Sequence, residues 1–505
     1  MPLSSPDPMQ KPRTDLKPNT YENEILPMVT TNGFREYDAR WLFGKEINLL
    51  GVQALGLGLG TYYMQAGVKR VVTGHDYRSY ELSIKHALTL GLMNAGCEVV
   101  DIGLALTPCA YYAQFALDCP AVAVVTASHN ENGWTGVKMG CDKPLTFGPD
   151  EINRLRDIVL NGKGETRPGG RYEAVENFRE TYLEGVTKGH KLSRPIKVVV
   201  ATGNGTAGLF APEALRRIGA EVIEVDTALD YNFPNYNPNP EDLHMLHAMA
   251  KAVKEHGAEL CVGVDADGDR CGVVDDKGEE IFADKVGVLL ARDISSKVKN
   301  ATFVVDVKST AIYTIDPVLK ANGVKTDYWK TGHSYIKRRT AELHATAGFE
   351  KSGHYFFNPP YGHGYDDGVL AAIAVLEMLD HAGGKKLSDL EATLPKTWSS
   401  PTMGPFCADD AKYNVVAAIT KEYEALKAKG EKVLGQNIAS IVTVNGCRVT
   451  LDDGTWCLVR ASSNKPSLVV VVESPTSDEA MHAIFKDLDT RLAKHPEVGE
   501  YDQKI

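Results

Sequence analysis

The chain has 505 residues, of which 43% are hydrophobic and 24% are charged, and its formal net charge is -11. A chain of this length is too long for one hydrophobic core, so it predicts three or four globular domains. The acidic balance argues against nonspecific binding to nucleic acid, which requires a concentrated positive surface. The apolar stretches, such as 468–472, have only the length of a strand, and we therefore expect no membrane span.

The first residues are rich in Pro, Ser, Lys and Asp and have no apolar centre. This composition excludes a secretory signal peptide and predicts a disordered lead-in over residues 1–20. The nine cysteines form no Cys-x-x-Cys pair and are too sparse for a disulfide framework. We therefore expect free thiols and a reducing compartment, which is the cytoplasm by default.

A pattern of strand, polar loop, helix and second strand occurs three times, over 70–100, 197–222 and 302–325. Each copy has a glycine just before its second strand, and this recurrence predicts sister α/β domains. The helices of the first two copies have apolar residues at helical spacing, which are expected to cover a sheet. The expected sheet-facing residues are Leu82, His86, Leu90 and Met93 in the first helix and Leu209, Ala214, Leu215 and Ile218 in the second.

Ser128 follows an apolar segment, 121–125, that is typical of a buried strand. Its hydroxyl is therefore expected just past the carboxyl end of that strand, where loops carry function. An imidazole at His129, an amide at Asn130 and an ammonium at Lys138 are suited to hold phosphoryl oxygens or to relay a proton. An ordinary turn rich in Ser, Asn and Gly is the alternative interpretation of the same residues.

Three carboxylates at alternate positions, Asp265, Asp267 and Asp269, stand between apolar strands with Gly268 to tighten the loop. An all-oxygen cage of this kind suits Mg²⁺, which keeps other coordination positions for water or phosphate oxygen. Arg270 is then expected to face phosphate. A calcium-binding EF-hand is one alternative, but it requires a glutamate where this chain has Asp276, and the apolar run before that residue is typical of a strand. A hairpin turn rich in Asp and Gly is the other.

The last part of the chain runs from an amphipathic helix, 414–429, into four strands separated by Asn-Gly and Asp-Gly turn signals. This order predicts a smaller α+β domain. With boundaries near 174, 282 and 396, the expected domains are 21–174, 175–282, 283–396 and 397–505.

Five segments in this order resemble the α-D-phosphohexomutases, the phosphomannomutase/phosphoglucomutase family. They are 33–40, the serine loop 126–130, the metal loop 265–270, the sugar loop 350–354 and the phosphate loop 460–466. Each match alone is weak, but their order and spacing together are specific. The resemblance implies three sister α/β domains with mixed sheets and a smaller α+β domain, arranged around a central cleft.

The resemblance also implies an activity. The expected enzyme is an isomerase that interconverts hexose 1-phosphate and hexose 6-phosphate of mannose or glucose. Phosphorylated Ser128 would transfer its phosphoryl group through a 1,6-bisphosphate intermediate, with Mg²⁺ held by Ser128, Asp265, Asp267 and Asp269. Glucose or mannose 1,6-bisphosphate is the expected activator. Hexose phosphates are the expected partners, without nucleic acid or membrane, and the expected state is a monomer or a small homo-oligomer.

Further site residues follow from the same resemblance. Those expected in proton transfer or phosphate positioning are Arg40, His129, Lys138 and His333. Those expected to contact the substrate are Tyr37, Arg270, Lys308, Glu350, Ser352, His354, Arg460, Ser462, Ser463 and Asn464. Glu350 and Ser352 are expected to bind O3 and O4 of a pyranose, which glucose and mannose share. The phosphate loop departs from the family's Ser-Gly-Thr-Glu-Pro or Ser-Asn-Thr, so phosphate binding is expected to depend on Arg460 and Lys465.

Three alternatives remain open at the level of the sequence. A mutase for glucosamine phosphate would have different residues near C2 of the sugar and in the sugar loop. A phosphatase would use an aspartyl nucleophile and release inorganic phosphate. A non-catalytic sugar-phosphate binding protein would retain the fold without turnover, but binding alone does not require Ser128 and all three aspartates.

Overall fold

The computed structural model describes residues 26–463 and 465–505, so the predicted lead-in 1–20 and the predicted substrate ligand Asn464 lie outside the described residues. The chain forms two compact units. The first extends to Ala283 and includes Ser352–Ser388, and the second combines Asp284–Lys351 with Asp389–Ile505. Every helix of the described residues is too short or too polar to cross a membrane.

The first sheet has six strands in the order β1-β5-β4-β2-β3-β6, and β5 alone runs in the direction opposite to the other five strands. The strands are β1 (Ala39–Leu42), β2 (Arg70–His75), β3 (Glu98–Leu104), β4 (Ala121–Val125), β5 (Trp134–Gly140) and β6 (Arg171–Ala174). The helices of this region are α1 (Leu49–Gln65), α2 (Glu81–Asn94), α3 (Thr107–Ala116), α4 (Pro149–Leu160) and α5 (Phe178–Thr187). A single 3₁₀ turn, Thr31–Gly33, precedes β1.

The second sheet is also mixed, with the strand order β11-β10-β9-β7-β8. Its strands are β7 (Lys197–Ala201), β8 (Glu221–Val225), β9 (Leu260–Val264), β10 (Cys271–Val274) and β11 (Glu280–Ile281), and its helices are α6 (Ala211–Arg217) and α7 (Leu243–His256), with a 3₁₀ turn at Thr206–Leu209. Strands β7, β8 and β9 are parallel, whereas β10 returns antiparallel to β9. The predicted metal loop therefore connects two adjacent antiparallel strands.

The third region contributes to both units. In the second unit, β12 pairs in parallel with β13 and β14. The elements in chain order are α8 (Ala283–Lys297), β12 (Thr302–Asp306), α9 (Ile312–Ile315), α10 (Pro317–Ala321), β13 (Lys325–Trp329), α11 (His333–Glu342), β14 (Ala347–Phe349), β15 (Tyr355–Phe357), α12 (Gly368–His381) and α13 (Leu387–Glu391). Strand β15 and helix α12 belong to the first unit.

The carboxyl-terminal sheet is antiparallel throughout, in the order β16-β20-β19-β18-β17. Its elements are β16 (Trp398–Ser399), α14 (Lys412–Lys429), β17 (Ile438–Val442), β18 (Cys447–Leu451), β19 (Trp456–Ala461), β20 (Leu468–Ser474) and α15 (Asp478–Leu492). Apolar residues of α14 and α15 pack with the inner residues of these strands in one buried cluster. The predicted fold class, three α/β regions with mixed sheets and a carboxyl-terminal α+β domain, is confirmed.

The three predicted repeats each form a parallel strand pair: β2 with β3, β7 with β8 and β12 with β13. The glycine before each second strand has positive φ, which is +94° at Gly96, +101° at Gly219 and +72° at Gly323. A residue with a Cβ is strained at such φ, so glycine is the residue that lets each chain leave its helix and enter the next strand.

The predicted sheet-facing side of α2 is wrong. Leu82 and Leu90 are 47% and 53% exposed, and the buried side instead contains Ile84, Leu88 and Leu92. The helical period is the expected one, but two apolar stripes exist on this helix, and the sequence does not show which of them faces the protein. Leu209 is likewise exposed, while the other three expected residues of the second repeat, at 214, 215 and 218, are buried.

Candidate active site

Ser128 lies three residues beyond β4 and is buried, with a left-handed backbone at φ +53°. Its N–H donates to Thr126 Oγ1 at 2.8 Å, and its Oγ lies 3.3 Å from His129 Nδ1. The nearest imidazole is therefore within reach of the hydroxyl. A non-glycine residue with positive φ is uncommon and is found preferentially where function or a tight turn requires it.

The guanidinium of Arg40 also reaches this loop. It lies on β1 opposite Gly136 of β5, and its Nη1 donates to Asn130 Oδ1 at 2.9 Å. Asp38 holds the guanidinium from the other side, with Nε to Oδ2 at 2.9 Å. Burial acts to lower the pKa of Arg40, but the Asp38 carboxylate outweighs this effect and raises it, so the guanidinium stays charged. Tyr37 is buried just ahead of β1.

The metal loop brings its three carboxylates together without solvent exposure. One oxygen each of Asp265, Asp267 and Asp269 lies within 4.8 Å of the others, and all three residues are fully buried. Gly268 has φ +80°, and its N–H donates to Asp265 Oδ1 at 3.0 Å. Because strand β10 and not a helix follows, the EF-hand alternative is wrong, whereas the hairpin geometry and the carboxylate cluster occur together.

The carboxylates differ in how many hydrogen bonds they already accept. Asp265 accepts from Gly268 N and Arg270 N at Oδ1, and from Arg270 Nε at Oδ2 over 2.9 Å. Asp267 Oδ1 and Asp269 Oδ1 are buried and accept no hydrogen bond from the described residues. A buried acceptor without a donor is costly unless a cation or water meets it. This donor set therefore fits a hard divalent cation, which prefers carboxylate oxygen.

Lys138 provides a positive charge to the same carboxylates. It lies on β5 opposite Val124 of β4, and its Nζ is 2.7 Å from Asp267 Oδ2 and also ion-paired with Asp269 Oδ2. Burial acts to lower the pKa of Lys138, but the two aspartates overcome this effect and raise it. Thr107, at the start of α3, donates its hydroxyl to the same Asp267 oxygen at 2.6 Å.

Burial and the negative charge of Asp269 raise the pKa of Asp265. Asp269 behaves differently, because Lys138 and then His354 overcome its burial and lower its pKa. One carboxyl of the cluster thus resists ionisation while its neighbour favours it, which is the expected result when close carboxylates share a limited number of cations.

His354 joins the metal loop to the sugar loop within the first unit. Its Nδ1 lies 2.8 Å from Asp366 Oδ2 and 3.9 Å from Asp269 Oδ2, and its backbone forms a bridge with Arg270. Gly353, with φ +93°, accepts from Cys271 N at 2.9 Å, and a Cβ at this glycine would lie 2.9 Å from the Cys271 carbonyl oxygen. The close backbone approach therefore depends on glycine.

In the second unit, Asp306 at the end of β12 connects three loops. Its carboxylate accepts from Ser309 Oγ at 2.5 Å, from Thr331 Oγ1 at 2.9 Å and from Lys351 N at 3.2 Å. Glu350 is buried beside this junction and accepts from Gly332 N at 3.1 Å. These bonds fix the loops that carry three predicted site residues, all of them buried: Lys308, His333 and Glu350.

Two hydrogen bonds from Lys412 fix the backbone of the phosphate loop: its Nζ donates to Ser462 O at 2.6 Å and to Lys465 O at 3.2 Å. Arg460, at the end of β19, donates from Nη1 to Ala461 O at 2.8 Å, and its Nε is buried without a hydrogen-bond partner among the described residues. Ser463 is half-buried. The loop thus presents a guanidinium with unused donor capacity.

Four sequence-family models match the chain in succession. They describe phosphoglucomutase/phosphomannomutase alpha/beta/alpha domain I over residues 31–165, domain II over 180–278, domain III over 282–398 and the C-terminal domain over 407–491. The chain belongs to this family.

Individual members of the phosphoglucomutase/phosphomannomutase family are similar over nearly the whole chain. A phosphomannomutase/phosphoglucomutase of Pseudomonas putida is 33% identical over 461 residues, covering 91% of this chain and 95% of that protein. A phosphoglucomutase of Neisseria gonorrhoeae is 30% identical over 453 residues, covering 89% and 95%. The crystal structure of a family protein from Burkholderia thailandensis superposes with a TM-score of 0.82 at 30% identity, covering 94% of this chain and 99% of that one.

The structure divides the predicted site residues of this family member between its two units. The first unit contains Tyr37, Arg40, Ser128, His129, Lys138, Asp265, Asp267, Asp269, Arg270, Ser352 and His354, and the second contains Lys308, His333, Glu350, Arg460, Ser462 and Ser463. The unit boundary falls inside the sugar loop, between Lys351 and Ser352. Within the first unit, a hydrogen bond joins Arg40 to the serine loop, and charged contacts join Lys138 and His354 to the metal loop.

Sequence reasoning missed Thr107, Asp306 and Asp366. The signal for Asp306 was present, since the apolar strand 302–305 ends in an aspartate, the position at which the other two α/β regions carry site loops. Asp366 stands two residues before α12, in an Asp-Asp-Gly sequence that predicts a helix cap and gives no indication of a histidine partner. Thr107 likewise fits an ordinary helix start.

Proposed function

We propose that this protein is a phosphohexomutase that interconverts the 1-phosphate and 6-phosphate of glucose and mannose. The observation that carries the proposal is the position of Lys138. Lys138 lies on β5 and is paired with Val124 of β4, the strand that leads to Ser128. Its ammonium contacts two carboxylates of the metal loop. A nucleophile loop and a carboxylate cluster, each expected from the family resemblance, are thereby joined through one buried cation.

We propose that Mg²⁺ is the resident metal and that Asp265, Asp267, Asp269 and Ser128 hold it. The two unpartnered buried oxygens at Asp267 and Asp269 support this assignment, as does the all-oxygen character of the set. When bound, such an ion neutralises charge on a phosphoryl group in transfer.

In the proposed reaction, the Ser128 phosphoester bond breaks as the same phosphorus bonds to the free hydroxyl oxygen of a hexose 1-phosphate. The proton of that hydroxyl passes to an imidazole, and Ser128 Oγ takes up a proton as it leaves the phosphorus; we assign His129 and His333 to these proton transfers. The hexose 1,6-bisphosphate then reorients, and the dephosphorylated Ser128 takes the other phosphoryl group and releases hexose 6-phosphate. Glucose or mannose 1,6-bisphosphate would phosphorylate a resting enzyme in the same way.

Cations that keep their charge when buried are suited to hold phosphoryl oxygens during this transfer. We assign Arg40 and Lys138 to the transferring phosphate. Arg270, Lys308, Arg460, Ser462, Ser463 and Asn464 are assigned to the distal phosphate, together with Tyr37 and His354 as further substrate contacts. Arg460 retains an unpartnered buried Nε, which supports its assignment to an anion.

We assign Glu350 and Ser352 to the hydroxyls at O3 and O4. Glucose and mannose share the configuration at both positions and differ only at C2, so a site that binds O3 and O4 accepts both sugars. A carboxylate accepts two hydroxyl protons, and a serine hydroxyl both donates and accepts. This chemistry supports dual specificity.

The experiment is phosphorus NMR of α-glucose 1-phosphate and, separately, α-mannose 1-phosphate with Mg²⁺ and a trace of the 1,6-bisphosphate. Wild type and Ser296→Ala, which removes an exposed hydroxyl on α8, are expected to convert both sugars, whereas Ser128→Ala converts neither. Release of inorganic phosphate alone would instead show a phosphatase. Conversion of glucosamine 1-phosphate only would show an amino-sugar mutase, and no turnover with any sugar would show a non-catalytic binding protein.

We also propose four structural domains at 21–174, 175–282, 283–396 and 397–505, a cytoplasmic location and a monomer or small homo-oligomer. All nine cysteines are free thiols, which supports a reducing compartment.

A further inference from the structure

The backbone of Ser128 is fixed from both sides by side chains outside its own loop. Its φ of +53° is a left-handed conformation that costs free energy in a serine, so surrounding contacts must select it. Two peptide groups flank this residue, and the contacts of each identify what holds the conformation.

The peptide before Ser128 is held through a relay of two hydrogen bonds. Ser128 N donates to Thr126 Oγ1 at 2.8 Å, and the Thr126 hydroxyl in turn donates to Asp76 Oδ2 at 2.8 Å. Asp76 is buried in the loop after β2, so its carboxylate fixes the direction of the threonine hydroxyl. Because the Thr126 proton is directed at Asp76, the threonine oxygen acts toward the Ser128 N–H as an acceptor with a fixed orientation.

The peptides after Ser128 are held at three consecutive carbonyl oxygens. Arg78 Nη2 donates to Ser128 O at 2.8 Å and to Asn130 O at 2.5 Å. Asn237 Nδ2, from the loop before α7, donates to the intervening His129 O at 2.7 Å. Arg78 is itself ion-paired with Asp76, and the two side chains are 1% and 2% exposed.

We propose that the Asp76–Arg78 ion pair, assisted by Asn237, is the positioning device of the nucleophile loop, which sets the direction of Ser128 Oγ for phosphoryl transfer. The inference rests on the proposed function of Ser128. Arg78 is a positioning residue: its Nη1 donates to Asp76, its Nη2 donates to two backbone carbonyls, and its guanidinium lies under Phe233 at 5.4 Å. The one donor nitrogen without a partner among the described residues, Nε, is itself buried in the protein. Removal of the pair is therefore expected to reduce turnover and leave substrate binding unchanged.

The first test compares Arg78→Met with Lys85→Met. Lys85 and Asp101 form another ion pair in the first α/β region, with both side chains 3% exposed, and neither residue contacts the serine or metal loop, so Lys85→Met controls for the loss of a buried ion pair. For Arg78→Met we expect kcat to fall about 100-fold, since a small displacement of a reacting atom has that effect, with KM for hexose 1-phosphate within about threefold of wild type. Lys85→Met is expected to keep both constants within about threefold.

Two milder variants keep the test decisive if Arg78→Met does not fold. Arg78→Lys retains the charge and one donor direction and is expected to recover part of kcat, because an ammonium cannot donate to Asp76 and both carbonyls in the same planar geometry. Asn237→Ala removes the half-buried amide that donates to His129 O and is expected to lower kcat about tenfold at unchanged KM. Wild-type turnover in both variants would overturn the proposal, as would equal losses in Arg78→Met and Lys85→Met.

Amide hydrogen exchange over 126–133, read by mass spectrometry, separates this proposal from the proposed function. Faster exchange of this segment in the Arg78 and Asn237 variants, but not in Lys85→Met, supports the positioning device even if the wild-type enzyme turns over no hexose phosphate, in which case only the proposed function fails. Unchanged exchange in the Arg78 and Asn237 variants overturns the positioning device whatever the activity of the wild type.

Discussion

Replacement of Lys138 by methionine tests the electrostatics of the metal loop. Lys138 Nζ contacts Asp267 and Asp269, and none of the three side chains is more than 2% exposed. Methionine has a similar length and no charge, so the variant leaves buried carboxylates without their nearest cation. Removal of one partner from a buried pair costs about 3–5 kcal/mol, and we expect a loss of that size in the free energy of unfolding of metal-free protein.

Added Mg²⁺ provides the second half of this test. In the wild type, the ammonium at Asp267 Oδ2 and Asp269 Oδ2 neutralises part of the charge that a divalent cation at the two Oδ1 atoms would meet, whereas in Lys138→Met that charge is uncompensated. A ligand at 100 times its dissociation constant stabilises the folded state by about 2.7 kcal/mol, and we expect the variant to gain more from a given Mg²⁺ concentration than wild type does.

The assay is urea unfolding followed by circular dichroism, in EDTA and in a series of Mg²⁺ concentrations, for wild type, Lys138→Met and Lys85→Met. Lys85→Met breaks the other buried pair, with Asp101, and is expected to lose stability without any added response to Mg²⁺. A loss below about 1 kcal/mol for Lys138→Met in EDTA would refute the reasoning, because a surface ion pair costs no more than that. An equal response of both variants to Mg²⁺ would refute the assignment of the metal to Asp267 and Asp269.

Three further predictions follow from burial and charge elsewhere in the chain. Burial and the nearby Asp76 raise the pKa of Glu81 well above its usual value. Above about pH 4.5 the folded state therefore keeps a proton that the unfolded state releases, and the free energy of unfolding falls as pH rises. Glu81→Gln should therefore raise the melting temperature increasingly from pH 4.5 to pH 8, and an equal shift at every pH would contradict this. In native protein, the half-buried Cys141 should be the one thiol that reacts rapidly with Ellman's reagent at pH 8, and the other eight thiols should react only after unfolding. Rapid reaction of several thiols in the native protein would contradict this expectation. The Arg448 guanidinium lies 3.7 Å from the Trp456 ring centroid and donates to two backbone carbonyls. Arg448→Met should therefore lower the free energy of unfolding of the second unit by about 2–4 kcal/mol in urea. A change within about 0.5 kcal/mol would contradict this prediction.

The sequence predicts the strands next to the site more successfully than the site's contacts. Residues 260–264 and 271–274 are apolar runs bounded by Asp and Gly, and they form β9 and β10 with the expected limits. The face of α2 was predicted wrongly, because two apolar stripes at Leu82 and Ile84 satisfy the same period. Local patterns therefore indicate which element forms, but the direction an element faces depends on partners distant in the sequence.

The same limit explains which site residues were missed. Arg78 contacts a carbonyl 50 residues away, and Lys138 contacts a carboxylate 129 residues away. The positively charged Lys138 was found because it stands near a serine motif, whereas Arg78 stands in a sequence of ordinary loop composition. No periodicity in the sequence encodes such pairs, since the Arg78 contact depends on the pairing of β2 with β4 in the first sheet and the Lys138 contact depends on how the two sheets of the first unit approach each other.

Charge balance connects these long-range pairs to the chemistry. Three buried aspartates in one loop repel one another, and the described structure sets Arg270 and Lys138 against them, so the cluster has one negative charge in excess once Asp265, whose pKa is raised by burial and Asp269, is ionised. His354 lies 3.9 Å from Asp269, close enough to respond to that excess. A site with a residual negative charge attracts a divalent cation, and a site that holds the cation attracts a phosphoryl group. The buried ammonium of Lys138 thus compensates two of the three carboxylates and keeps them together in one buried cluster without a metal.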